Sequence, residues 1–460
     1  MTSHSTPTVA SSVASQNNPS YLADHPHRPA SDSLALFLLL PAIAMSLGWG
    51  LRGTIGGGQI GALIPGVIVM LSLALLLGWK SSLGIVAAIG TVGMGLGGQE
   101  TYGQTIGFLR DPKTVVWGLS GLTLKGAMWG ISGGVLVGLA FMHSKYRWWE
   151  IAVGLLVMVG VTLLGRELID KPKYVYFSNL LDKPREEAWV GLTLGGLSLL
   201  IYLLALRREK VSLQFGLGGL VAGAAGFGIG SLFLALGNTL PKPYFGWQWW
   251  KMMEFTFGAL YGLGLGAIAY RLRRELRTVN QEMSEYEPLD PLAKLPLEMM
   301  TILGLSVAMV AIQLNFALDI RTSFTVVAAG LILLSLRSNQ LGWQVALSLT
   351  ICGFLRDFLR GGAERDWFDK SYDHWGFLVV MTLPIVMIVA RSVSKGRLSS
   401  ARALLGVTWL ATLFGLARIT ISPTSYFSNP FVSTVFLVEA VATTVLVLAI
   451  PSREDTDATA

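Results

Sequence analysis

Two charged residues lie inside apolar, glycine-rich stretches and are the first candidates for chemistry. Arg52 lies in residues 50–59, where five of the first nine residues are glycine, and Glu100 follows a second glycine cluster at residues 93–98. A charge within a membrane segment is costly unless it is paired or hydrated, so such residues are functional candidates by default. Arg52 predicts a contact with an anionic group, and Glu100 predicts a carboxyl that exchanges a proton.

The glycine run at residues 50–59 is poor helix material, so we expect a loop or a broken helix whose backbone amides face an anion. An alternative for Arg52 is an anchor to lipid headgroups, and an alternative for Glu100 is a buried salt bridge with Arg110 or Lys125. A second arginine, Arg321, occupies the matching place in the last third of the chain. The predicted substrate-binding residues are Arg52, Gln59, Gln99, Glu100 and Arg321.

Two short sequence motifs, called words below, each occur twice in the sequence, in the same order. Residues 107–111 (GFLRD) recur as 353–357, and residues 176–179 (YFSN) recur as 426–429. The pair indicates an internal duplication, which in membrane proteins favours a site between the two copies. We expect the adjacent charges of the first word to form a gate by pairing across the copies, and the alternative is a surface anchor. The predicted gating residues are Arg110, Asp111, Arg356 and Asp357.

The composition requires a solvent other than water. Hydrophobic residues make up 52% of the chain, charged residues 14%, and the mean hydropathy is +0.57. Soluble proteins carry about 25% charged residues. The apolar runs are long enough to cross a bilayer as helices, which satisfy their own backbone polar groups. We therefore predict an all-α, polytopic transmembrane bundle.

We expect about fourteen spans, arranged as two parallel six-span repeats plus two central helices. The layout is similar to that of fourteen-span major facilitator transporters, although that family's glycine-and-basic loop after the second span is missing. The expected spans are 33–50, 56–79, 83–108, 115–142, 148–165, 187–206, 213–238, 250–271, 297–317, 322–336, 341–356, 374–391, 402–420 and 431–450. The predicted units are a disordered tail at 1–32, six helices at 33–206, two extra helices at 207–275, a cytoplasmic linker at 276–296, six helices at 297–450 and a tail at 451–460.

Glycine recurs at every fourth position in two predicted spans. The stripes are Gly126, Gly130, Gly134 and Gly138 in one span and Gly258, Gly262 and Gly266 in another. Small residues at this spacing let a neighbouring backbone approach closely. Such stripes indicate tight helix packing, with sliding helices during transport as the functional alternative.

Basic loops place both termini in the cytoplasm of a prokaryotic plasma membrane. The leading functional hypothesis is a secondary transporter for a small polar, possibly anionic, solute, working by alternating access between the repeat-related bundles. Its expected partners are that solute and the lipid bilayer, with no nucleic acid, cofactor or metal. One alternative is a scaffold subunit. The other is a membrane enzyme for a lipid-linked substrate, for which the candidate residues are Glu100, Asp111, Asp357, Asp369 and His374.

Overall fold

The computed structural model describes residues 32–179, 185–240, 248–284, 299–304, 306–307, 320–363, 373–421 and 430–450. Over these ranges the secondary structure is helical. Nine helices are long and apolar enough to cross a membrane, and three shorter apolar helices accompany them. The protein is therefore a polytopic helical membrane protein, as the composition predicted. Most of the expected span at 297–317 and both predicted tails, apart from residue 32, lie outside the described residues.

Most of the predicted spans coincide with a described helix, but the nine long and three shorter apolar helices of the described residues do not establish the expected count of fourteen. The described helices are α1 (Leu34–Ile55), α2 (Gly58–Gly61), α3 (Leu63–Leu77), α4 (Leu83–Gly97), α5 (Gly103–Gly107), α6 (Val115–Met142), α7 (Trp148–Gly165), α8 (Trp189–Arg207), α9 (Val211–Thr239), α10 (Trp249–Ser284), α11 (Ile320–Ser335), α12 (Asn339–Trp343), α13 (Leu349–Ala363), α14 (Asp373–Ser394), α15 (Ser400–Ile421) and α16 (Pro430–Leu448). Helix α10 extends beyond the predicted start of the linker at residue 276.

The third predicted span is interrupted, and its break touches the turn between the first two spans. A turn with positive φ at Gly57 and Gly58 separates α1 from α2. A non-helical segment at residues 98–102 separates α4 from α5. A Cβ on Gly98 would lie 2.5 Å from both the Gln59 Cα and the Gly58 carbonyl oxygen, so only glycine fits at this crossing.

The centre of the bundle is formed by α3 and α4, in which every residue is buried. The helices around them expose apolar side chains, for example Leu156 on α7, Val221 on α9 and Leu448 on α16. Exposed leucine and valine on a spanning helix are at no disadvantage in lipid, so these faces are the expected hydrocarbon contacts.

Both glycine stripes pack against the backbone of a neighbouring helix. On α6, a Cβ at Gly130 would lie 1.9 Å from the Gly219 carbonyl oxygen of α9. On α10, a Cβ at Gly266 would lie 1.9 Å from the Phe37 carbonyl oxygen of α1. The packing interpretation of the stripes is confirmed, and sliding during a transport cycle stays a prediction.

Several of the basic residues that the sequence assigns to one side gather at one end of the bundle. Lys145 pairs with Glu282 there, Arg207 with Glu150, and Arg277 with Asp32 at 2.8 Å. Hydrogen bonding to Arg277 lowers the pKa of the Asp32 carboxyl. Which compartment this end faces stays a prediction.

No structural repeat is detected among the described residues, and the two copies of the first word differ in conformation. Residues 107–111 run from the end of α5 through a 3-10 turn into the extended Asp111. Residues 353–357 instead lie within the uninterrupted helix α13. The other repeated word cannot be compared, because residues 426–429 lie outside the described part of the chain. The same five letters adopt different structures because their surroundings differ.

Candidate functional site

Buried charges gather on the segment 98–102, where the break in the third predicted span meets the turn between α1 and α2. They form two groups. The Arg52 cluster consists of Arg52, Tyr102, Lys251 and Glu254, and the Lys125 cluster consists of Lys125, Glu100 and Glu187. Because Glu100 and Tyr102 belong to one short segment, that segment connects the two clusters.

The Arg52 cluster is a chain of hydrogen bonds between α1, the 98–102 segment and α10. The Arg52 Nη1 donates to the Tyr102 hydroxyl at 3.0 Å, and that hydroxyl donates to the Glu254 Oε1 at 2.8 Å. The Lys251 Nζ donates to the Glu254 Oε2 at 2.7 Å and to the Gly50 carbonyl oxygen at 2.8 Å. With two bases and one acid, the cluster has one spare positive charge.

Aromatic rings surround the Arg52 guanidinium. Its central carbon lies 5.1 Å from the ring centroid of Trp49, 5.5 Å from that of Tyr102 and 5.1 Å from that of Trp129. The residue is only 3% exposed, and its Nε has no hydrogen-bond partner among the described residues. Cation–π contacts of this kind contribute about 2 kcal/mol when desolvated. This burial inside the protein does not agree with a headgroup anchor.

Two amides of the glycine turn are used to close α1, and whether the other amides of the turn face an anion stays a prediction. The Gly56 and Gly57 amides donate to the Arg52 carbonyl oxygen at 3.1 and 2.8 Å, which closes the end of α1. Gly56 and Gly58 are nevertheless exposed. Nothing lies within 4 Å of a Cβ placed on Gly57 or Gly58. The turn is therefore exposed, while the Arg52 side chain stays buried.

The Lys125 cluster centres on a fully buried ammonium. The Lys125 Nζ lies 2.8 Å from the Glu100 Oε1 and 2.7 Å from the Glu187 Oε1. It also donates to the Thr101 carbonyl oxygen at 2.7 Å and to the Thr105 Oγ1 at 2.9 Å. Of the two partners that the sequence suggested for Glu100, the structure selects Lys125. One base and two acids leave the cluster with one spare negative charge.

The two carboxylates of this cluster also hold the loop that covers it. The Ala188 amide donates to the Glu100 Oε2 at 2.6 Å. The Phe177 amide and the Ser178 hydroxyl donate to Glu187 at 3.0 and 2.7 Å. Glu100 lies between α4 and α5, outside the spanning helices, and burial raises the pKa of its carboxyl to about 7, since desolvation and the nearby Glu187 outweigh the attraction of Lys125.

The other predicted substrate-binding residues lie near the same segment or outside the described side chains. Gln59 is buried at its contact with Gly98. Gln99 donates to the Thr325 hydroxyl of α11 at 2.9 Å. The Arg321 side chain lies outside the described residues. The segment 98–102 thus brings together four of the five predicted positions.

The predicted gating residues do not form a symmetric set. Arg110 and Asp111 are exposed, and the Asp111 Oδ1 accepts a hydrogen bond from the Lys113 amide at 2.9 Å. Arg356 is buried at 8% exposure. The Asp357 side chain lies outside the described residues, so pairing across the two words stays a prediction.

Sequence reasoning missed most of the Arg52 cluster and one acid of the other. Lys251 and Glu254 stand at i and i+3, a spacing that brings side chains together on a helix and was a usable signal. The neighbouring Trp250 also takes part, since its Nε1 donates to the Glu254 Oε1 at 3.0 Å. Glu187 and Tyr102 carry no local signal, since only the tertiary fold brings them to the buried bases.

The residues that would support an enzyme do not converge where the structure describes them. Glu100 is buried and Asp111 is exposed. Asp369 and the side chains of Asp357 and His374 lie outside the described residues. A lateral groove of about 350 Å³ between α6 and α9 has no acid in its lining, which is Leu119, Thr123, Ala224, Ala225, Gly228, Ile229 and Leu232.

The fold and the buried clusters define the protein as a polytopic helical membrane protein with a charged interior. In comparisons with known proteins, no family model, curated protein or solved structure matches the chain.

Proposed function

We propose that the protein is a secondary transporter for a small anionic solute, with the Arg52 cluster as the solute site and the Lys125 cluster as the proton-coupling site. The observation that supports this most is the break in the third predicted span at residues 98–102, which contacts the turn between α1 and α2 and joins two oppositely charged clusters. Secondary transporters commonly build substrate and ion sites from interrupted helices near the centre of the membrane.

The Arg52 cluster suits a carboxylate, phosphate or similar oxyanion. A guanidinium presents several donors in a fixed plane that matches two oxygen acceptors, and the unpartnered Arg52 Nε is one such donor. The spare positive charge favours a monoanion. A bound anion would take Arg52 donors that now reach Tyr102.

The charges of the two clusters provide a reason for coupling. With both sites empty, the spare positive and negative charges compensate each other across the 98–102 segment. An anion bound alone would leave one uncompensated negative charge in a buried site, and a proton bound alone would leave one positive charge. Binding both restores neutrality, so each ligand raises the affinity for the other, as reciprocal linkage requires. The proposed reaction is symport of a monoanion with a proton.

Alternating access would expose the clusters to the two sides of the membrane in turn. The repeated words favour a movement in which the bundle 33–206 shifts relative to the bundle 297–450. Residues 52 and 100 belong to the first bundle, and Gln99 contacts α11 of the second. A change at the 98–102 segment would therefore act directly on the boundary between the two bundles.

The first test is anion binding to the purified protein. Trp49 and Trp129 flank Arg52, so their fluorescence should change when acetate, lactate, phosphate or sulfate binds there. We expect a saturable change with at least one of these probes, and its loss in Arg52→Met. Lys145→Met, at an exposed ion pair on the opposite end of the bundle, is the matched control and should bind as the unchanged protein does.

The second test is uptake of the bound anion into proteoliposomes under a proton gradient. Uptake should exceed that of protein-free vesicles and depend on Glu100. Robust gradient-driven uptake by Glu100→Gln would remove the coupling role. Chemical conversion of a lipid bound in the groove between α6 and α9 would instead favour the alternative function, a membrane enzyme. Folded protein that neither binds nor transports any anion would favour the scaffold.

A further inference from the structure

A further carboxyl, partly buried, lies in the C-terminal helix pair, away from both clusters. Glu439 is the one charged residue in the sequence of α16. The Ser46 hydroxyl of α1 donates to its Oε1 at 2.5 Å. Its Oε2 is buried and has no hydrogen-bond partner among the described residues. The carboxyl therefore lies in the interface between α1 and α16, in the middle of a spanning helix.

The bases on the surrounding helices do not compensate Glu439. The charged residues on these helices are Arg52 on α1, Arg402 and Arg418 on α15, and Lys251 and Glu254 near the part of α10 that contacts α16 through Phe255 and Phe436. Arg52, Lys251 and Arg402 make their described hydrogen bonds elsewhere. Among the described residues, none of these forms an ion pair with Glu439.

An ionised carboxylate in this position would be strongly disfavoured. The membrane interior and the apolar faces of α1, α15 and α16 provide no hydration, and one hydroxyl donor does not replace it. A protonated carboxyl needs an acceptor for its own proton. Thr443 follows four residues later on the same helix face, and its Oγ1 is buried without a partner among the described residues. Since the Glu439 Oε2 and the Thr443 Oγ1 both lack a partner among the described residues, they are not bonded to each other as placed, and a change of side-chain rotamer is needed for the acid to donate to Thr443.

We propose that Glu439 is a proton-binding site inside the membrane, in which a neutral carboxylic acid accepts a hydrogen bond from Ser46 and, after a change of side-chain rotamer, donates one to Thr443. The proton is held while α16 packs against α1. It is released when the two helices separate and water reaches the carboxyl. The site is distinct from Glu100, and it does not depend on whether the protein moves a solute.

Infrared spectroscopy of the full-length protein in lipid nanodiscs tests this directly, because a protonated carboxyl has a C=O stretching band that a carboxylate lacks. Near neutral pH we expect such a band, its loss in Glu439→Gln and its persistence in Glu100→Gln. An unchanged carboxyl spectrum in folded Glu439→Gln would show that Glu439 is ionised and overturn the proposal.

A second variant keeps the test decisive if Glu439→Gln does not fold. Ser46→Ala removes the donor to the Oε1, so the C=O band should move to higher wavenumber while the helices stay packed. A band that does not move in Ser46→Ala does not come from Glu439, and the proposal would then be wrong. Neither readout uses transport, so failure here and failure of the proposed transport function are distinguishable.

Discussion

The two buried clusters use similar groups with opposite charge balance, and this contrast is the most informative feature of the molecule. In the Lys125 cluster, one ammonium is surrounded by four oxygen acceptors. In the Arg52 cluster, the guanidinium is surrounded by rings and keeps an unpartnered donor. The first is closed around its cation, whereas the second has capacity for another acceptor.

The contrast separates the roles of the two cations. A compact ammonium is strongly hydrated in water and must regain that solvation from fixed oxygens when it is buried. A guanidinium is more weakly hydrated and tolerates aromatic surroundings. We infer that Lys125 fixes the two acids and the covering loop in place, while Arg52 is the cation that meets a ligand.

The largest predicted effect is that of Lys125→Met. It leaves Glu100 and Glu187 buried together without a counter-charge, and breaking a buried ion pair in this way costs about 3–5 kcal/mol. Thermal unfolding of the purified variant, followed by circular dichroism in detergent, should show a large fall in Tm. A Tm equal to that of the unchanged protein would mean that the cluster is hydrated rather than buried.

The double variant Lys125→Met with Glu187→Gln sharpens this prediction. It removes one acid together with the base and leaves a single carboxyl, Glu100, which can take up a proton. We expect it to recover part of the lost stability, giving a non-additive double-mutant cycle. Strict additivity would show that the two side chains act independently.

The second prediction concerns pH. Because the pKa of Glu100 rises from 4.5 to about 7 on folding, the folded protein binds this proton more tightly than the unfolded chain. Its contribution to stability is therefore fully present below pH 4.5 and is lost as the pH rises towards 7, by at most about 3 kcal/mol. Glu100→Gln, which resembles the neutral acid, should lack this slope. The unfolding free energy or Tm of both proteins between about pH 5 and pH 8 is the measurement.

An equal pH dependence in Glu100→Gln and the unchanged protein would assign the titration to another group. Glu209 is one competitor outside the spanning helices, since burial also raises the pKa of its carboxyl in the turn between α8 and α9. Glu209→Gln is therefore the matched control, and its slope should include the Glu100 contribution.

Hydropathy predicted most of the helices, because a spanning run of about twenty residues is a local property of the sequence. The sequence also showed that Arg52 and Glu100 place a charge in an apolar segment, where it is energetically costly. It offered Lys125 as one ion-pair partner for Glu100. The helix interruptions were predicted only at the glycine run, while residues 98–102 were expected to be helical. The close approach of Gly98 to Gln59 that accompanies this break is a tertiary contact.

What the sequence did not show is which distant residues meet. Tyr102, Lys251 and Glu254 come from two separate regions and act together only because α10 packs along α1. The repeated word at residues 107–111 and 353–357 suggested equivalence, but identical letters specify structure only within equivalent surroundings. At the first copy the helix ends, and at the second copy it continues.

The third prediction compares two glycines. A Cβ on Gly53 would lie 2.4 Å from the Glu254 Oε2 and 2.7 Å from the Lys251 Nζ, so Gly53→Ala should displace the ion pair of the Arg52 cluster. We expect a loss of about 1–3 kcal/mol and weaker anion binding. Gly107 has nothing within 4 Å of its Cβ position, so Gly107→Ala should leave both properties almost unchanged. Equal effects of the two substitutions in Tm and fluorescence titrations would contradict a specific contact at Gly53.

The smallest predicted effect tests whether burial, rather than pairing, distinguishes the clusters. Lys145 and Glu282 form an ammonium–carboxylate pair like those of the interior, but their side chains are 43% and 52% exposed. Water screens such a pair, so Lys145→Met should change the unfolding free energy by less than about 1 kcal/mol. The same substitution at Lys125 removes the same charge and adds the same side chain, and the difference between the two measured Tm shifts therefore isolates desolvation. If Lys145→Met destabilised the protein as strongly as Lys125→Met, desolvation would not explain the importance of the interior pairs, and the assignment of special roles to the two clusters would lose its physical basis.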